Sequence, residues 1–288
     1  MIWEPISSKY VNSLKFCLKY ARLRYVLYRI VLRIRLGKKN RNEFIKTRGI
    51  SEFNFLPQRP YYKNNIGIIP RKGTYDYYMF FLERELDIEQ YLELKPHETF
   101  VDVGANIGSY TLRMAKKYPK NKIIAIEAHP DNYNALLKNI QLNSFDNITA
   151  INKAVADHQG NVNMYERYHS GTHLGTDLYS ISDSFIHPSN IVKPDSNVIK
   201  VECDTLDNIL SICNGNMVLK IDIEGAEVMA LHGAKSIVQR VRRIIVEIHG
   251  NNLEPVLQFL NSFNFEIQET KAEMKHVIGT KKIDYLRP

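Results

Sequence analysis

Two glycines preceded by an acid are the first residues in the chain that could do chemistry. Residues 99–111 read TFVDVGANIGSYT: a short apolar, β-prone run, a loop holding Gly104 and Gly108, then a helical pattern. Glycine lets a ligand approach the backbone, and the first turn of a helix offers N–H groups that have no partner inside the helix. A nucleotide-like ligand suits that geometry. A dinucleotide fingerprint needs Gly-x-Gly-x-x-Gly, whereas the spacing here is Asp102-x-Gly104-x-x-x-Gly108. A carboxylate in that place repels a pyrophosphate, which disfavours nicotinamide redox chemistry. It welcomes an ammonium, such as the methionine end of S-adenosylmethionine (SAM), directly or through water. Glu127 ends the next apolar run, residues 122–126, where an acid accepts hydrogen bonds from both ribose hydroxyls. Asp102, Gly104, Asn106, Gly108 and Glu127 are therefore the cofactor-binding candidates.

A second group of acids and a histidine follows two later β-prone runs. Residues 217–223 deliver Asp222 and then Glu224-Gly225-Ala226-Glu227, and residues 244–248 lead to Glu247 and His249. In a doubly wound sheet, ligands meet the carboxyl ends of the strands, so Asp222 is expected near Gly104 and Glu127 and counts as a cofactor contact as well. Methyl transfer from a sulfonium is an in-line displacement that needs close alignment and removal of a proton from an alcohol nucleophile. The expected general base is His249, oriented by Glu247 or Asp222, with Glu224 a further acid–base candidate. Glu247 and His249 reach one crevice only if the strand has ended by Ile248. Glu224 has a second reading as a cap on the next helix, and Asp222 one as a cofactor ligand alone. No metal is expected. Oxygen ligands around Asp222 would suit Mg²⁺, the alternative chemistry, but no second aspartate–asparagine pair follows the fifth strand.

In order and spacing, VDVGANIG, IEAHP, NKAVAD, KIDIEGAE and VEIH resemble the FkbM family of SAM-dependent methyltransferases over roughly residues 73–250. The resemblance implies a Rossmann-like class I methyltransferase fold, with a seven-stranded, mostly parallel sheet closed by a terminal antiparallel hairpin. It implies SAM as cofactor and O-methylation of a sugar, glycan or secondary metabolite. The alternative is a methyltransferase fold that binds SAM without chemistry and serves a partner enzyme. Methyltransferases of this fold place adenine near the position of Ala154, whose small side chain leaves room for a flat ring or else simply packs in a strand. Tyr75 and Asp76 would lie at the mouth of the pocket as cofactor or substrate contacts, or else in a surface turn. Glu127-Ala128-His129-Pro130 departs from the family, where Glu-Pro is often direct.

The elements that position these residues need one α/β domain, and 288 residues with 44% hydrophobic and 24% charged content supply it with an appendage to spare. The division expected is residues 1–71, a basic helical extension and connector with one short hairpin, and residues 72–288, the catalytic domain. Residues 9–41 hold eleven Lys or Arg and no acid; removing them from the 39 basic residues leaves 28 against 31 acidic, net −3. The body thus gives no electrostatic case for a nucleic-acid partner. The extension carries a basic stripe flanked by wide apolar arcs. This suits an anionic membrane surface, with a lipid-linked glycan as acceptor, or else packing on the body or on a second copy of the chain. It has neither a cleavable-signal pattern nor the roughly 20 uninterrupted apolar residues of a span. Cys17, Cys203 and Cys213 are odd in number and unpaired in spacing, as in a reducing compartment. A cytoplasmic location is the expectation, peripheral on the inner membrane face if the extension takes the membrane alternative. Residues 162–200 break the βα rhythm and are expected to fold over the substrate; Ser170-Gly171-Thr172 is too poor a helix for His169 and His173 to form a metal pair.

Overall fold

The computed structural model describes residues 58–282 apart from 72–73, 75, 77–79, 81–85, 167, 170–171, 174–178, 182–197 and 271–275. The expectations for the basic segment 9–41, for Tyr75 and for most of the 162–200 excursion lie outside the described residues. Seven strands form the main sheet: β1 (Thr99–Val103), β2 (Ile123–Ile126), β3 (Ile148–Ile151), β4 (Met217–Ile221), β5 (Val241–Glu247), β6 (Phe265–Glu269) and β7 (His276–Lys281). Their spatial order is β3-β2-β1-β4-β5-β7-β6. The first five are parallel, and β7 runs antiparallel to both β5 and β6. The sheet is as the motifs imply. The chain winds outward from β1 in one direction and from β4 in the other, which leaves a crevice between their carboxyl ends.

The central strands are buried on both faces, which is why they read as near-continuous apolar runs. The helices are α1 (Leu86–Glu89), α2 (Ser109–Lys117), α3 (Pro130–Asn143), α4 (Leu206–Ile209), α5 (Glu227–His232) and α6 (Leu253–Ser262). One face of the sheet packs Val101, Val103, Leu219, Ile221, Ile244 and Val246 against Ala230, Leu231, Val256 and Leu260. The other packs Phe100, Val218 and Ile245 against Tyr110, Met114, Ile88 and Leu92. Because side chains alternate along a strand, Asp102, Lys220 and Glu247 share the second face.

A separate four-stranded sheet joins Val198–Asp204 with Gly160–Glu166, Ala154–Val155 and Tyr179–Ser180. Two details differ from the sequence reading. β5 begins at Val241, three residues before Ile244, because both arginines that hide its start find partners: Arg242 on Glu98 and the Glu93 carbonyl, Arg243 on the Tyr91 carbonyl. The expected hairpin, Tyr61–Lys63 with Ile66–Ile68, buries Tyr61, Ile66 and Ile68 with Ile107, Leu112 and Ala135. Asn143 Oδ1 accepts from Gly67 N at 2.8 Å and Asn139 Oδ1 from Ile69 N at 2.9 Å. The packed body therefore includes this hairpin, ahead of the division expected at residue 72.

Glu98 takes a fork of hydrogen bonds from Arg242 Nε (2.5 Å) and Nη2 (2.8 Å) at the start of β1. Burial alone would raise its carboxyl, but Arg242 and the Lys95 amide outweigh that and hold it below its ordinary value. A depressed acid stabilises the fold above its unfolded pKa, and that stability is lost as pH falls through the folded value. Glu98→Gln is expected to cost about 3 kcal/mol in urea unfolding at pH 7, with the difference from wild type closing below about pH 4. A difference unchanged at pH 3 would refute this.

Candidate active site

Gly104 follows β1 with φ +79°, and a Cβ built there would stand 1.8 Å from the carbonyl oxygen of Asp222. The Asp222 amide in turn donates to the Val103 carbonyl at 3.0 Å. The glycine is thus demanded by the backbone after β4, and the two loops touch at the reversal of strand order. Gly108, with φ +96°, precedes α2; a Cβ there would meet Leu136 Cδ1 at 2.8 Å.

Asp102 does not face the crevice. It is 1% exposed, and its Oδ2 accepts from the Thr111 amide (3.1 Å) and hydroxyl (2.7 Å) in the first turn of α2. Its Oδ1 stands 3.4 Å from Nζ of Lys220, which also reaches Asp222 Oδ2 at 3.2 Å and lies 4.9 Å from the centre of the Tyr110 ring. The expectation of a carboxylate open to an ammonium is corrected: Asp102 shapes the glycine loop from beneath. The sequence reading missed Lys220. A lysine inside MVLKI, at a position whose register partner is Asp102, was the available signal.

Glu127 ends β2, 6% exposed. Its Oε2 accepts from the Asn106 amide at 2.8 Å, and its Oε1 from the His129 amide at 2.9 Å and Asn132 Nδ2 at 3.3 Å. Burial pushes its carboxyl up against the pull of these bonds and of Arg71. Arg71 grips Asp76 through Nε (2.9 Å) and Nη2 (2.7 Å) while Nη1 donates to Asn132 Oδ1 at 2.7 Å. Asp76 is therefore a buried ion-pair partner of Arg71, in neither of the roles expected for it. Ala154 sits 2% exposed with Ala156 and Cys203, the packing alternative of its two readings. Cys203 Sγ lies 3.7 Å from His158 Nε2, and His158 Nδ1 lies 2.8 Å from Asp157 Oδ1. That sequence of groups resembles a thiol triad, but Cys203 is fully buried and burial pushes its thiol up, so it is inert.

The remaining candidates converge. β5 stops at Glu247, before the required limit, and Glu247 meets His249, which faces Glu224 in the loop after β4. His249 Nδ1 is 2.8 Å from Glu227 Oε1; Nε2 is 3.4 Å from Glu247 Oε1 and 3.6 Å from Glu224 Oε2. One donor atom each from Asp222, Glu224 and His249 lie within 4.8 Å of one another, and all three residues are half-buried. Glu227, given no role in the sequence reading, is completely buried and is the acid that fixes the ring; Asn252 Nδ2 donates to its Oε2 at 2.5 Å. Glu224 is not a cap: α5 starts at Glu227, its N-cap Ala226 offers no side-chain bond, and Glu227 itself folds back to accept from Gly225 N at 2.8 Å. Burial alone would lower the His249 ring, but Glu224, Glu227 and Glu247 push it up to about 12. Burial would raise Glu247; His249 and His276 hold its carboxyl well below the usual range.

A mostly parallel sheet with this strand order and a glycine loop at its reversal is the fold of Rossmann-like class I methyltransferases. Within that class, the profile of the methyltransferase FkbM domain matches residues 102–267, and the chain belongs to that family. Methyltransferase 1 of Beauveria bassiana (strain ARSEF 2860) is 26% identical over 166 residues, which take in 53% of this chain and 66% of that protein, just under two thirds of its length. Methyltransferase sdnD of Sordaria araneosa is 25% identical over 210 residues, 60% of this chain and 75% of that protein. Among solved structures, the precorrin-6y C5,15-methyltransferase of Geobacter metallireducens GS-15 aligns with a TM-score of 0.43 at 12% identity, covering 71% of this chain and 92% of that one.

Proposed function

We propose that the protein transfers the methyl group of SAM to a hydroxyl of a sugar, a glycan, including a lipid-linked one, or a secondary metabolite. The contact between Gly104 and the Asp222 backbone carries this reading, because it sets the cofactor loop against the Asp222–Glu224–His249 cluster. The residues fit the cofactor. Among the described residues Asn106 Oδ1 is buried without a hydrogen-bond partner, an acceptor in the loop for a ribose hydroxyl or an ammonium, and Glu127 presents its carboxylate beside the Asn106 amide. When bound, SAM supplies an electrophilic methyl group on sulfur. The chain's part is to align the acceptor and take its proton. Both ring nitrogens of His249 face carboxylates, so the ring already carries the proton a base would have to accept, and its expected role is revised. Glu224 and Asp222, half-buried at the same edge, are the acceptors, and His249 holds Glu224 in place.

Incubation with SAM and a panel of hydroxylated glycans, polyprenyl-linked sugars and polyketide alcohols, read as a 14 Da gain, tests the reading. Methylation only of amines, or S-adenosylhomocysteine bound with no transfer to any acceptor, would overturn it; the second result favours the non-catalytic partner module. Arg71→Met is expected to weaken S-adenosylhomocysteine about tenfold by calorimetry, since it removes the cation that steadies Asn132 and Glu127. Unchanged affinity would refute that link. We propose further that residues 9–41 carry the chain to an anionic membrane surface, a reading supported by their eleven cations and lack of acids. Among the described residues, no helix is long and apolar enough to cross a membrane.

A further inference from the structure

The edge formed by β4 and β5 concentrates carboxylates. Four carboxylates, of Asp222, Glu224, Glu227 and Glu247, gather around His249, with Lys220 holding Asp222 from the sheet side and His276 facing Glu247 at 3.5 Å. Two features set this apart from an ordinary acidic surface. Glu227, fully buried, engages Nδ1 at 2.8 Å and so directs Nε2 outward, the orientation a buried acid imposes on a metal-bound imidazole. Glu247 is only 2% exposed, its Oε2 faces His276 Nε2 at 3.5 Å, and its Oε1 points at the same His249 Nε2 from 3.4 Å, so the imidazole is backed by buried acids on both sides.

We propose that Asp222, Glu224 and His249 form a binding site for a divalent cation of the Mn²⁺ type. Two carboxylate oxygens and one imidazole nitrogen are a donor set for such an ion. At metal–oxygen distances of about 2.1 Å, opposite ligands of a six-coordinate ion stand about 4.2 Å apart. The three donor atoms already lie within 4.8 Å of one another, so small rotations close the site. The ligands come from the loops after β4 and β5, so their approach is set by the sheet. Three protein ligands leave three positions for water or for acceptor hydroxyls. A hydroxyl bound to the ion gives up its proton more readily, and the second oxygen of Asp222 or Glu224, each of which offers one oxygen to the ion, takes that proton. The site deepens the proposed reading, since the ion would lie where the acceptor's oxygen must approach the methyl group.

The full-length protein, stripped with a chelator and dialysed, should take up one Mn²⁺ per chain in a titration followed by the electron paramagnetic resonance of free Mn²⁺. Glu224→Gln and His249→Asn should each weaken that uptake at least tenfold. S-adenosylhomocysteine affinity and melting temperature serve as controls for folding in both variants. No Mn²⁺ uptake by wild-type protein that binds S-adenosylhomocysteine would overturn the cation site and leave the methyltransferase reading standing. Uptake undiminished in both folded variants would overturn it too. Mn²⁺ bound by a protein that binds no S-adenosylhomocysteine would support the site while removing the reaction assigned to it.

Discussion

Gly104→Ala should abolish S-adenosylhomocysteine binding and destabilise the domain by about 4 kcal/mol, combining strain at positive φ with an overlap that nothing can relieve. A new Cβ would press on a carbonyl at 1.8 Å, and that carbonyl belongs to Asp222, whose amide is bonded to Val103. Relief requires pulling β1 and β4 apart at their carboxyl ends. Gly108→Ala should do less, about 2 kcal/mol, because the atom in its way is the far end of the Leu136 side chain, which can turn aside. Urea unfolding of both variants beside wild type measures the order. Equal losses, or Gly104→Ala binding normally, would show that the loops after β1 and β4 are not held together as described.

The second large effect is expected at Lys220. Methionine there keeps the length of the side chain and removes the cation between Asp102 and Asp222, leaving Asp102 buried with a charge its partners no longer balance. Breaking a buried pair from one side costs about 3–5 kcal/mol, much of it the penalty of the stranded ion. Neutralising the other side as well should return part of that loss, so Lys220→Met with Asp102→Asn should unfold at higher urea than Lys220→Met alone. If the double variant is no more stable than the single one, the two groups are not coupled and the position of Lys220 reflects packing on Tyr110.

Much of the scaffold was legible because its signals are local and periodic. Apolar runs of strand length, glycines at the right interval and Pro130 at a helix start each point to one element. The ends of the strands were less legible: Arg242 and Arg243 conceal the start of β5, since only a partner distant in sequence, Glu98, makes a buried arginine tolerable. The site shows the same division. Residue types at the crevice could be picked out from spacing, but the roles of Asp102, Glu227 and Lys220 depend on which way a side chain turns once neighbouring strands are in register. Asp102 looked like a ligand contact because it precedes the glycine loop, and Thr111, nine residues on, takes it inside. Ala154 shows a different gap, as a small residue in a strand packs or lines a pocket according to the sheet that receives it.

The hairpin ahead of the domain fixes a point of attachment. Tyr61–Lys63 and Ile66–Ile68 are pinned to α3 by Asn139 and Asn143, and Arg71, three residues beyond, reaches through Asn132 to Glu127. The hairpin therefore stands beside the helix whose first turn touches Glu127. Arg71 works on Glu127 from that support like a tool on a short rigid handle, its angle of entry set by the hairpin. An insertion between residues 68 and 71 would lengthen that handle and slacken the hold of Arg71 on Asn132.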